Sequence, residues 1–457
     1  MSHVPGALVA DALPRVIRRV ALPAVASNLL MTLFTTADAY WVGTRVGPAG
    51  LAAVSTSVFW VWLVVAVAEG VALGLTALAA RRHGEGDPAE AARAAGGALA
   101  FALVLALGIG LAGLAGVDAL FAFMQTPSEV TALGRDYLRL YLAGLPLIFG
   151  YFCVDATFRA AGDTRTPLLI LGASVAATLL LDPVLILGLG PAPKLGIAGA
   201  ALALVATRGT AFLVGAWLLW RRGMVRWPGG TDSGRRRADA RVTSVAAVAR
   251  RVVRIGLPTA VTGVIFSFIY VALTRTTTRF GTPALAALGL GHRIESWLYM
   301  IGVGFGAAAA AIVGQNLGAR RVERAERAGW ITMAFGMVPA AAMCVVSLTM
   351  PETLASLFTN DPAVVHETAR YLRINALSQL ALPAEIVLEG ALGGAGDTVP
   401  PMLTSTALTA LRIPLAAWWA TEWGPAGIWW AISITAVGRG VAMMLLWRSG
   451  RWKRQTV

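Results

Sequence analysis

Twelve long apolar segments constrain the fold of this chain more than any other feature. A helix that crosses a membrane needs about twenty mostly apolar residues, and backbone that faces lipid must satisfy its own hydrogen bonds. Of the 457 residues, 57% are hydrophobic and 14% are charged, a balance typical of a chain that folds in a bilayer. The sequence therefore predicts an all-α polytopic membrane protein with 12 transmembrane helices. The segments lie near residues 20–43, 52–80, 94–117, 132–158, 166–188, 196–220, 253–279, 285–313, 328–350, 368–393, 401–420 and 425–447.

The basic residues predict how these helices are oriented. The net charge is +14, but the arginines and lysines form short clusters between apolar segments and no continuous basic face for nucleic acid. Clusters precede the first segment, follow the second, eighth and twelfth, and fill the connection at 221–252. Cytoplasmic loops carry such an excess of basic residues. We therefore expect both termini to be cytoplasmic, in the plasma (inner) membrane of a prokaryote, with the lipid bilayer as partner and no nucleic acid.

The chain contains an internal duplication. Gly162-Asp163-Thr164 recurs 234 residues later as Gly396-Asp397-Thr398, and the same offset relates Tyr137-Leu138-Arg139 to Tyr371-Leu372-Arg373. Six segments in each half give both halves the same orientation, so the halves are parallel repeats of a kind found in secondary transporters. The predicted domains are an N-terminal six-helix bundle at 1–220, a cytoplasmic linker at 221–252 and a C-terminal six-helix bundle at 253–457.

Several of these motifs resemble those of the multidrug and toxic compound extrusion (MATE) family. Leu22-Pro23 followed by residues 38–43 is similar to the first-helix pattern of that family. Gly162-Asp163-Thr164 resembles its fourth-helix loop, and residues 313–319 resemble its eighth-helix ending. The resemblance covers nearly the whole chain and is closer to the DinF-like bacterial and archaeal members than to others. It implies a V-shaped pair of bundles that acts as a monomer, needs no cofactor and exports amphipathic or cationic small molecules by ion-coupled alternating access.

Two acidic residues in the N-terminal half are the strongest candidates for the ion-coupling and substrate site. An ionisable group inside a bilayer costs at least ~2.5–3.5 kcal/mol, so each one needs a reason. Asp38 and Asp182 both lie about 8–9 Å below the outer ends of their helices, at ~1.5 Å per residue. The equivalent positions of the second repeat, 234 residues later, are occupied by Ala272 and Ala416. A packing requirement shared by both halves therefore does not explain the two acids. The alternative is a structural hydrogen bond or ion pair.

The resemblance also bears on the coupling ion. In sodium-coupled members an Asn precedes the fifth-helix acid by four residues, and a sixth-helix Thr follows a Gly-Ala-Ala run. Here those two positions are occupied by Thr178 and Leu204. The hydroxyl of Thr178 replaces the Asn side chain only in part as a sodium ligand, and Leu204 offers no side-chain oxygen. A site with fewer oxygen ligands favours H⁺ over Na⁺, so we expect substrate/proton antiport, with sodium coupling as the alternative.

Other acids in the apolar segments have weaker claims to this role. Asp155 precedes Arg159 by one helical turn, a spacing that predicts a structural ion pair. Glu69 lies near the middle of the second segment. Since some family members use acids of the C-terminal half, a second candidate coupling cluster comprises Glu295, Glu385 and Glu389.

Two arginines and a proline complete the set of unusual residues in these segments. Arg208 and Arg439 lie in the middle of the last segment of each half, where we expect them to neutralise buried acids. Pro23 removes a backbone hydrogen bond in the first segment and predicts a kink, which acts as a hinge or as a static bend.

Two other functions are alternatives to the transport of drug-like cations. A lipid-linked or polysaccharide flippase of related architecture would need a large cationic cavity with lipid-sized openings, whereas the N-terminal half has interior acids. A membrane-embedded enzyme is disfavoured because the histidines are too scattered for a metal or acid–base cluster, and we expect no catalytic residue and no metal. These histidines are His3, His83, His292 and His366.

Overall fold

The computed structural model describes residues 7–45, 48–123, 128–227 and 244–455, but not the side chains of 7, 35–45, 48–52, 55–56, 58–59, 123, 129 and 267. The described chain is built of α-helices joined by turns, and it contains no β-strand. The helices of the first half are α1 (Ala7–Ala10), α2 (Leu13–Arg45), α3 (Pro48–Gly84), α4 (Pro88–Phe123), α5 (Ser128–Ala143), α6 (Leu145–Ala160), α7 (Arg165–Leu187) and α8 (Ile197–Arg221). Those of the second half are α9 (Val245–Thr277), α10 (Thr282–Gly318), α11 (Val322–Thr349), α12 (Pro351–Ser356), α13 (Pro362–Asn375), α14 (Leu382–Ala395), α15 (Val399–Trp423) and α16 (Pro425–Arg448).

Each of the twelve apolar segments falls on one helix or on two consecutive helices. In the described chain, nine helices are long and apolar enough to cross a membrane, or ten when α5 and α6 count as one bent span. Helix α15 and the α13–α14 pair fall outside this set. The pair is interrupted, and α15 carries the buried polar residues Ser405, Thr409 and Arg412 along one side.

The fourth and tenth segments are broken, where the sequence suggested single helices. Helices α5 and α6 meet at 52° around Gly144, and a proline lies in the first turn of α6. In the second half a 3-10 turn at Leu377–Leu380 separates α13 from α14, which also has a proline in its first turn. Proline fits a first turn but cannot continue the preceding helix, because it lacks an amide hydrogen. The break recurs in both halves and therefore belongs to the repeat.

The chain packs as two compact units. The N-terminal unit contains Ala26–Leu257, and the C-terminal unit contains Ala7–Val25 and Pro258–Val457. These divisions fall close to Pro23 and Pro258, the prolines inside α2 and α9. The first part of α2 therefore belongs to the C-terminal unit, and the first part of α9 belongs to the N-terminal unit.

Glycines allow the start of α9 to pack closely on α3 within the N-terminal unit. A Cβ added at Gly256 would lie 2.1 Å from the carbonyl oxygen of Gly70, and one added at Gly74 would lie 2.5 Å from that of Val252. Small residues permit such close approach of helices in a membrane. Residues 245–252, which were counted in the linker, are thus ordered helix, while 228–243 lie outside the described residues.

The repeated Gly-Asp-Thr motif forms the turn between the fourth and fifth spans of each half. The carboxylate of Asp163 accepts a 2.9 Å hydrogen bond from Nη1 of Arg222, which follows α8. That of Asp397 accepts a 3.1 Å hydrogen bond from Nε2 of Gln455, which follows α16. The glycine before each aspartate has φ near +85°, in the left-handed region that favours glycine. The motif therefore holds the chain segment after the sixth span and has a structural role in both repeats.

Candidate functional site

Asp182 is fully buried inside the N-terminal unit. It lies on α7 with an exposed fraction of 0%, and Thr178 and Ser174 precede it by one and two turns with 2% and 6% exposed. Residues four apart share one face of a helix, so the three side chains form a polar stripe. The stripe is shielded from lipid by neighbouring helices. The structure thus places Asp182 and Thr178 on the same buried face.

The hydroxyl of Thr207 joins this stripe from α8. Its Oγ1 lies 2.7 Å from Oγ1 of Thr178, and each hydroxyl is also within 2.8 Å of a backbone carbonyl of its own helix. Leu204 packs instead in an apolar cluster with Phe34 and Tyr151. Leu204 therefore offers no oxygen to this stripe, whereas Thr207, three residues later on α8, does so and was not predicted from the sequence.

The side chain of Asp38, the other leading candidate, lies outside the described residues. Its backbone belongs to α2, the helix interrupted by Pro23. The proximity of Asp38 to Asp182, and the hinge at Pro23, stay predictions.

Asp155 and Arg159 form an ion pair across one turn of α6, as their spacing indicates. Both side chains are partly buried, at 16% and 19% exposed. Glu69 on α3 has an exposed side chain and interacts electrostatically with Arg159. Arg159 therefore pairs with Asp155 and interacts more weakly with Glu69, and Asp155 in turn interacts electrostatically with Arg208 on α8.

Arg208 does not form the ion pair expected of it. The described part of the chain places no carboxylate within 4.0 Å of its guanidinium, although the side chain is only 5% exposed. Its Nη2 lies 2.6 Å from the sulfur of Met31, and the guanidinium stands over the rings of Tyr151 and Phe34 at 5.3 and 5.9 Å. Aromatic and thioether groups thus surround this cation in place of an acid.

Arg439 does neutralise an acid, in the C-terminal unit. Its Nη1 lies 2.5 Å from Oε1 of Glu385, and the two side chains are 10% and 7% exposed. Glu389, one turn after Glu385 on α14, interacts electrostatically with both members of the pair. The structure therefore brings two of the three C-terminal acids together around one arginine.

A second buried arginine links the third acid, Glu295, to this pair. Arg412 on α15 is 1% exposed, donates from Nε to Oγ1 of Thr435 at 2.9 Å and interacts electrostatically with Glu385 and Glu295. Glu295 itself accepts a 2.9 Å hydrogen bond from the hydroxyl of Tyr371. Arg412 was not predicted from the sequence, although it occupies the position of the second repeat that is equivalent to Thr178, 234 residues earlier.

The two halves therefore carry different charges at equivalent places in the repeat. The fifth span of the first half has a hydroxyl followed by an acid, whereas that of the second half has Arg412 followed by Ala416. Long apolar helices with buried ionisable groups, in a chain that contains two sequence repeats, indicate a polytopic membrane transporter.

Comparison with known proteins identifies the family. The model of the MatE family matches residues 23–184 and 258–418, one match in each half, and the chain belongs to this family. A probable multidrug resistance protein NorM of Thermotoga maritima is 27% identical over 342 residues, 73% of this chain and 71% of that protein. A FAD transporter of Shewanella oneidensis is 27% identical over 331 residues, 72% of this chain and 71% of that protein. A solved structure of a MOP superfamily transporter from Pyrococcus furiosus has a TM-score of 0.88 over 100% of both chains at 22% identity.

These findings settle the class of protein and the fold. The protein is a multi-pass membrane transporter and not an enzyme, and its fold is the twelve-helix fold of MATE structures. The recognition made from the ordered motifs in both halves is confirmed.

Proposed function

We propose that this protein exports amphipathic cationic compounds in exchange for protons by alternating access. The observation that carries the proposal is Asp182, a carboxylate with no exposed surface that lies on a polar stripe inside the N-terminal unit. A single buried carboxylate can be neutralised by a proton or by a cationic substrate. Competition between the two for Asp182, and for Asp38 at similar depth, couples proton entry to substrate release.

Proton coupling is supported by Leu204, an apolar side chain at a position where the family resemblance implies a sodium ligand. Thr178 and Thr207 lie within hydrogen-bond distance of each other and of backbone carbonyls, which uses their O–H donors but leaves lone pairs on both oxygens. A proton needs only the carboxylate, whereas sodium needs several oxygen ligands at once. Because Thr207 supplies an oxygen that the sequence analysis counted as lost, sodium is the competitor that the experiment has to test.

The remaining parts of the proposal concern the setting of the transporter. We place both termini in the cytoplasm because of the basic clusters between apolar segments. The inner membrane of a prokaryote is proposed because the relatives named above are bacterial, and the monomer is carried over from the family resemblance. We also retain the division into two six-helix bundles joined by a cytoplasmic linker. The similarity to a FAD transporter makes an anionic aromatic cofactor the second candidate cargo.

The experiment is transport by purified protein in proteoliposomes, with a fluorescent cation or FAD as cargo and either a pH gradient or a sodium gradient. We expect a pH gradient alone to move the cation, and Asp182→Asn and Asp38→Asn to abolish this movement. The matched control is Asp118→Asn, because Asp118 is 59% exposed and lies outside the stripe. Strict sodium dependence, transport of FAD but not of cations, or full activity of both Asn variants would contradict the proposal.

A further inference from the structure

We propose that the C-terminal unit binds an anionic phospholipid in a groove on its outer surface, between α15 and α16. One acyl chain lies in the groove, and the phosphate of the head group lies against Arg448 at the end of α16. In the orientation proposed above, the lipid belongs to the cytoplasmic leaflet. The site is separate from the transport site, and its occupation does not depend on the proposed cargo or coupling ion.

The groove is open, apolar and large enough for a hydrocarbon chain. Its volume is about 700 Å³. The small residues Ala407, Gly438 and Ala442 leave this space, and the side chains of Leu403 and Leu445 beside it are 60% and 62% exposed. An apolar space left empty loses van der Waals contacts for the groups that line it. A thin apolar chain from the bilayer therefore suits the groove.

The polar residue in the lining does not change this character. Thr404 donates its hydroxyl hydrogen to the backbone carbonyl of Pro400 at 2.8 Å, within α15. Its donor is used inside the helix. The lining therefore favours hydrocarbon over a polar ligand, and any polar part of the ligand has to lie at one end of the groove.

Gly438 keeps the groove open although helix packing does not require a glycine there. A Cβ added at Gly438 would lie 3.7 Å from Cδ2 of Leu408, which is an ordinary contact. At Gly440 on the same helix, an added Cβ would lie 2.6 Å from the carbonyl oxygen of Ala381. Gly440 thus permits a close approach of two chain segments, whereas Gly438 does not. Because glycine is a poorer helix former than alanine, its presence at 438 points to a use for the space beside it.

The length of the groove matches the depth of one leaflet. Arg448 lies one turn after Leu445, the last groove residue on α16, and ten residues after Gly438. At ~1.5 Å per residue, Gly438 is about 15 Å from Arg448 along the helix, half of the ~30 Å hydrocarbon core. With Arg448 at the membrane surface, the far end of the groove lies near the bilayer centre, where the acyl chains of one leaflet end.

Arg448 supplies the charge that selects the head group. Its side chain is exposed, and in the described part of the chain no carboxylate lies within 4.0 Å of its guanidinium. The nearby Lys453 is paired with Glu326 at 2.7 Å, and Arg451 interacts electrostatically with Asp397. Basic residues beside the cytoplasmic leaflet attract anionic lipids. The end of a helix carries only about half a negative charge, which the full charge of Arg448 outweighs.

A second copy of this chain is the alternative occupant of the groove. Gly438 and Ala442 have the small-x-x-x-small spacing found where helices pair in membranes. Two copies in a membrane have the same orientation, so a two-fold axis beside this groove would bring two Arg448 side chains together at the same depth. An anionic lipid instead meets Arg448 with the opposite charge. The arginine at the end of the groove therefore favours a lipid.

The test counts lipids bound to purified full-length protein in a neutral detergent by native mass spectrometry. Phosphatidylglycerol and phosphatidylcholine with the same acyl chains are compared. We expect one saturable site that binds phosphatidylglycerol about fivefold more tightly, because one arginine near a membrane surface contributes on the order of 1 kcal/mol. Glycerol 3-phosphate, which has the anionic group but no chain, should not compete. Equal affinity for the two lipids, absence of a saturable site, or competition by glycerol 3-phosphate would overturn the inference.

Variants then assign the binding to this groove. Gly438→Phe fills the groove and should remove the saturable site, whereas Gly108→Phe, at a glycine of α4 with open space around its Cβ, should leave it unchanged. Arg448→Gln should lower the affinity for phosphatidylglycerol to that for phosphatidylcholine, and Arg448→Lys should keep most of the preference, since a point charge also binds phosphate. The control for charge is Arg221→Gln, which removes an exposed arginine from the last turn of α8 and should keep the preference.

Two outcomes with the variants would overturn the inference. One is unchanged lipid binding by Gly438→Phe, and the other is a preference for phosphatidylglycerol that survives Arg448→Gln. Because Arg448 is exposed, its Gln variant folds and decides the question even where Gly438→Phe does not fold. A wild-type dimer that binds no lipid and that Gly438→Phe separates would assign the groove to a second copy of the chain, which also overturns the proposal.

Discussion

The buried ion pair between Arg439 and Glu385 gives the sharpest energetic prediction of this structure. Glu385→Gln keeps the shape of the side chain but removes the charge that lies 2.5 Å from Arg439. The arginine would then be 10% exposed without its ion-pair partner, with Glu389 as a more distant acid and with the second cation Arg412 close enough to repel it. The C-terminal unit would then contain two buried arginines and one acidic residue fewer to balance their charge.

The magnitude follows from burial. Breaking a buried ion pair by removing one partner costs about 3–5 kcal/mol, because the remaining charge stays in a region of low dielectric. The pair between Arg373 and Glu352 has the same 2.5 Å separation, but its side chains are 50% and 52% exposed. An exposed pair contributes only about 0–1 kcal/mol. We therefore expect Glu385→Gln to destabilise the protein by several times as much as Glu352→Gln.

The assay is reversible unfolding in mixed micelles, followed by tryptophan fluorescence, for wild type, both Gln variants and the double variant Glu385→Leu with Arg439→Met. The double variant replaces the pair by apolar groups and should recover part of the lost stability, because Arg439 is no longer buried without its partner, while Arg412 and Glu389 keep their charges. Equal losses for Glu385→Gln and Glu352→Gln would refute the reasoning. So would a double variant that is less stable than Glu385→Gln alone.

Four further predictions concern single substitutions. Gly256→Ala should destabilise by about 1–3 kcal/mol through overpacking, whereas Gly108→Ala, with open space around its Cβ, should be neutral or stabilising in the same unfolding assay. Asp163→Asn should lower the free energy of unfolding by about 1 kcal/mol, because it removes the ion pair with the half-exposed Arg222. Burial raises the pKa of the Asp397 carboxyl, so the charged form of this group disfavours the folded state. At pH 7 the free energy of unfolding of Asp397→Asn should therefore equal or slightly exceed that of wild type. The difference should disappear as the pH falls to 4, because the wild-type carboxyl then becomes protonated. Thr207→Val should keep proton-driven efflux within about twofold of wild type, since a proton needs no hydroxyl ligand; loss of transport that added sodium restores would contradict this.

Local periodicity and spacing predicted much of this fold from the sequence. The apolar segments located the spanning helices, because a bilayer demands a run of apolar residues that is visible without any tertiary contact. The one-turn spacing of Asp155 and Arg159 predicted their contact for the same reason. The breaks at Gly144 and at Leu377–Leu380 were less visible, since a proline within an apolar run can either kink a helix or begin a new one.

Contacts between helices account for what the sequence did not reveal. Thr207 meets Thr178 only because α7 and α8 pack side by side in one register, which no spacing along the chain encodes. Residues 245–257 belong to the N-terminal unit and pack on glycines of α3, with 252 − 74 = 178 and 256 − 70 = 186 positions between the contacting residues. Among the described residues no carboxylate lies within 4.0 Å of Arg208, which is likewise a tertiary fact, because the sequence suggested that Arg208 neutralises a buried acid.

The central claim is that a cationic substrate and a proton compete for Asp182. The most direct measurement is the release of protons when a cationic substrate is added to purified protein in a weakly buffered solution that contains a pH indicator. We predict that wild-type protein releases on the order of one proton per bound substrate molecule, and that Asp182→Asn releases markedly fewer. Binding of the cation by wild-type protein without any proton release, or unchanged release by Asp182→Asn, would contradict the account.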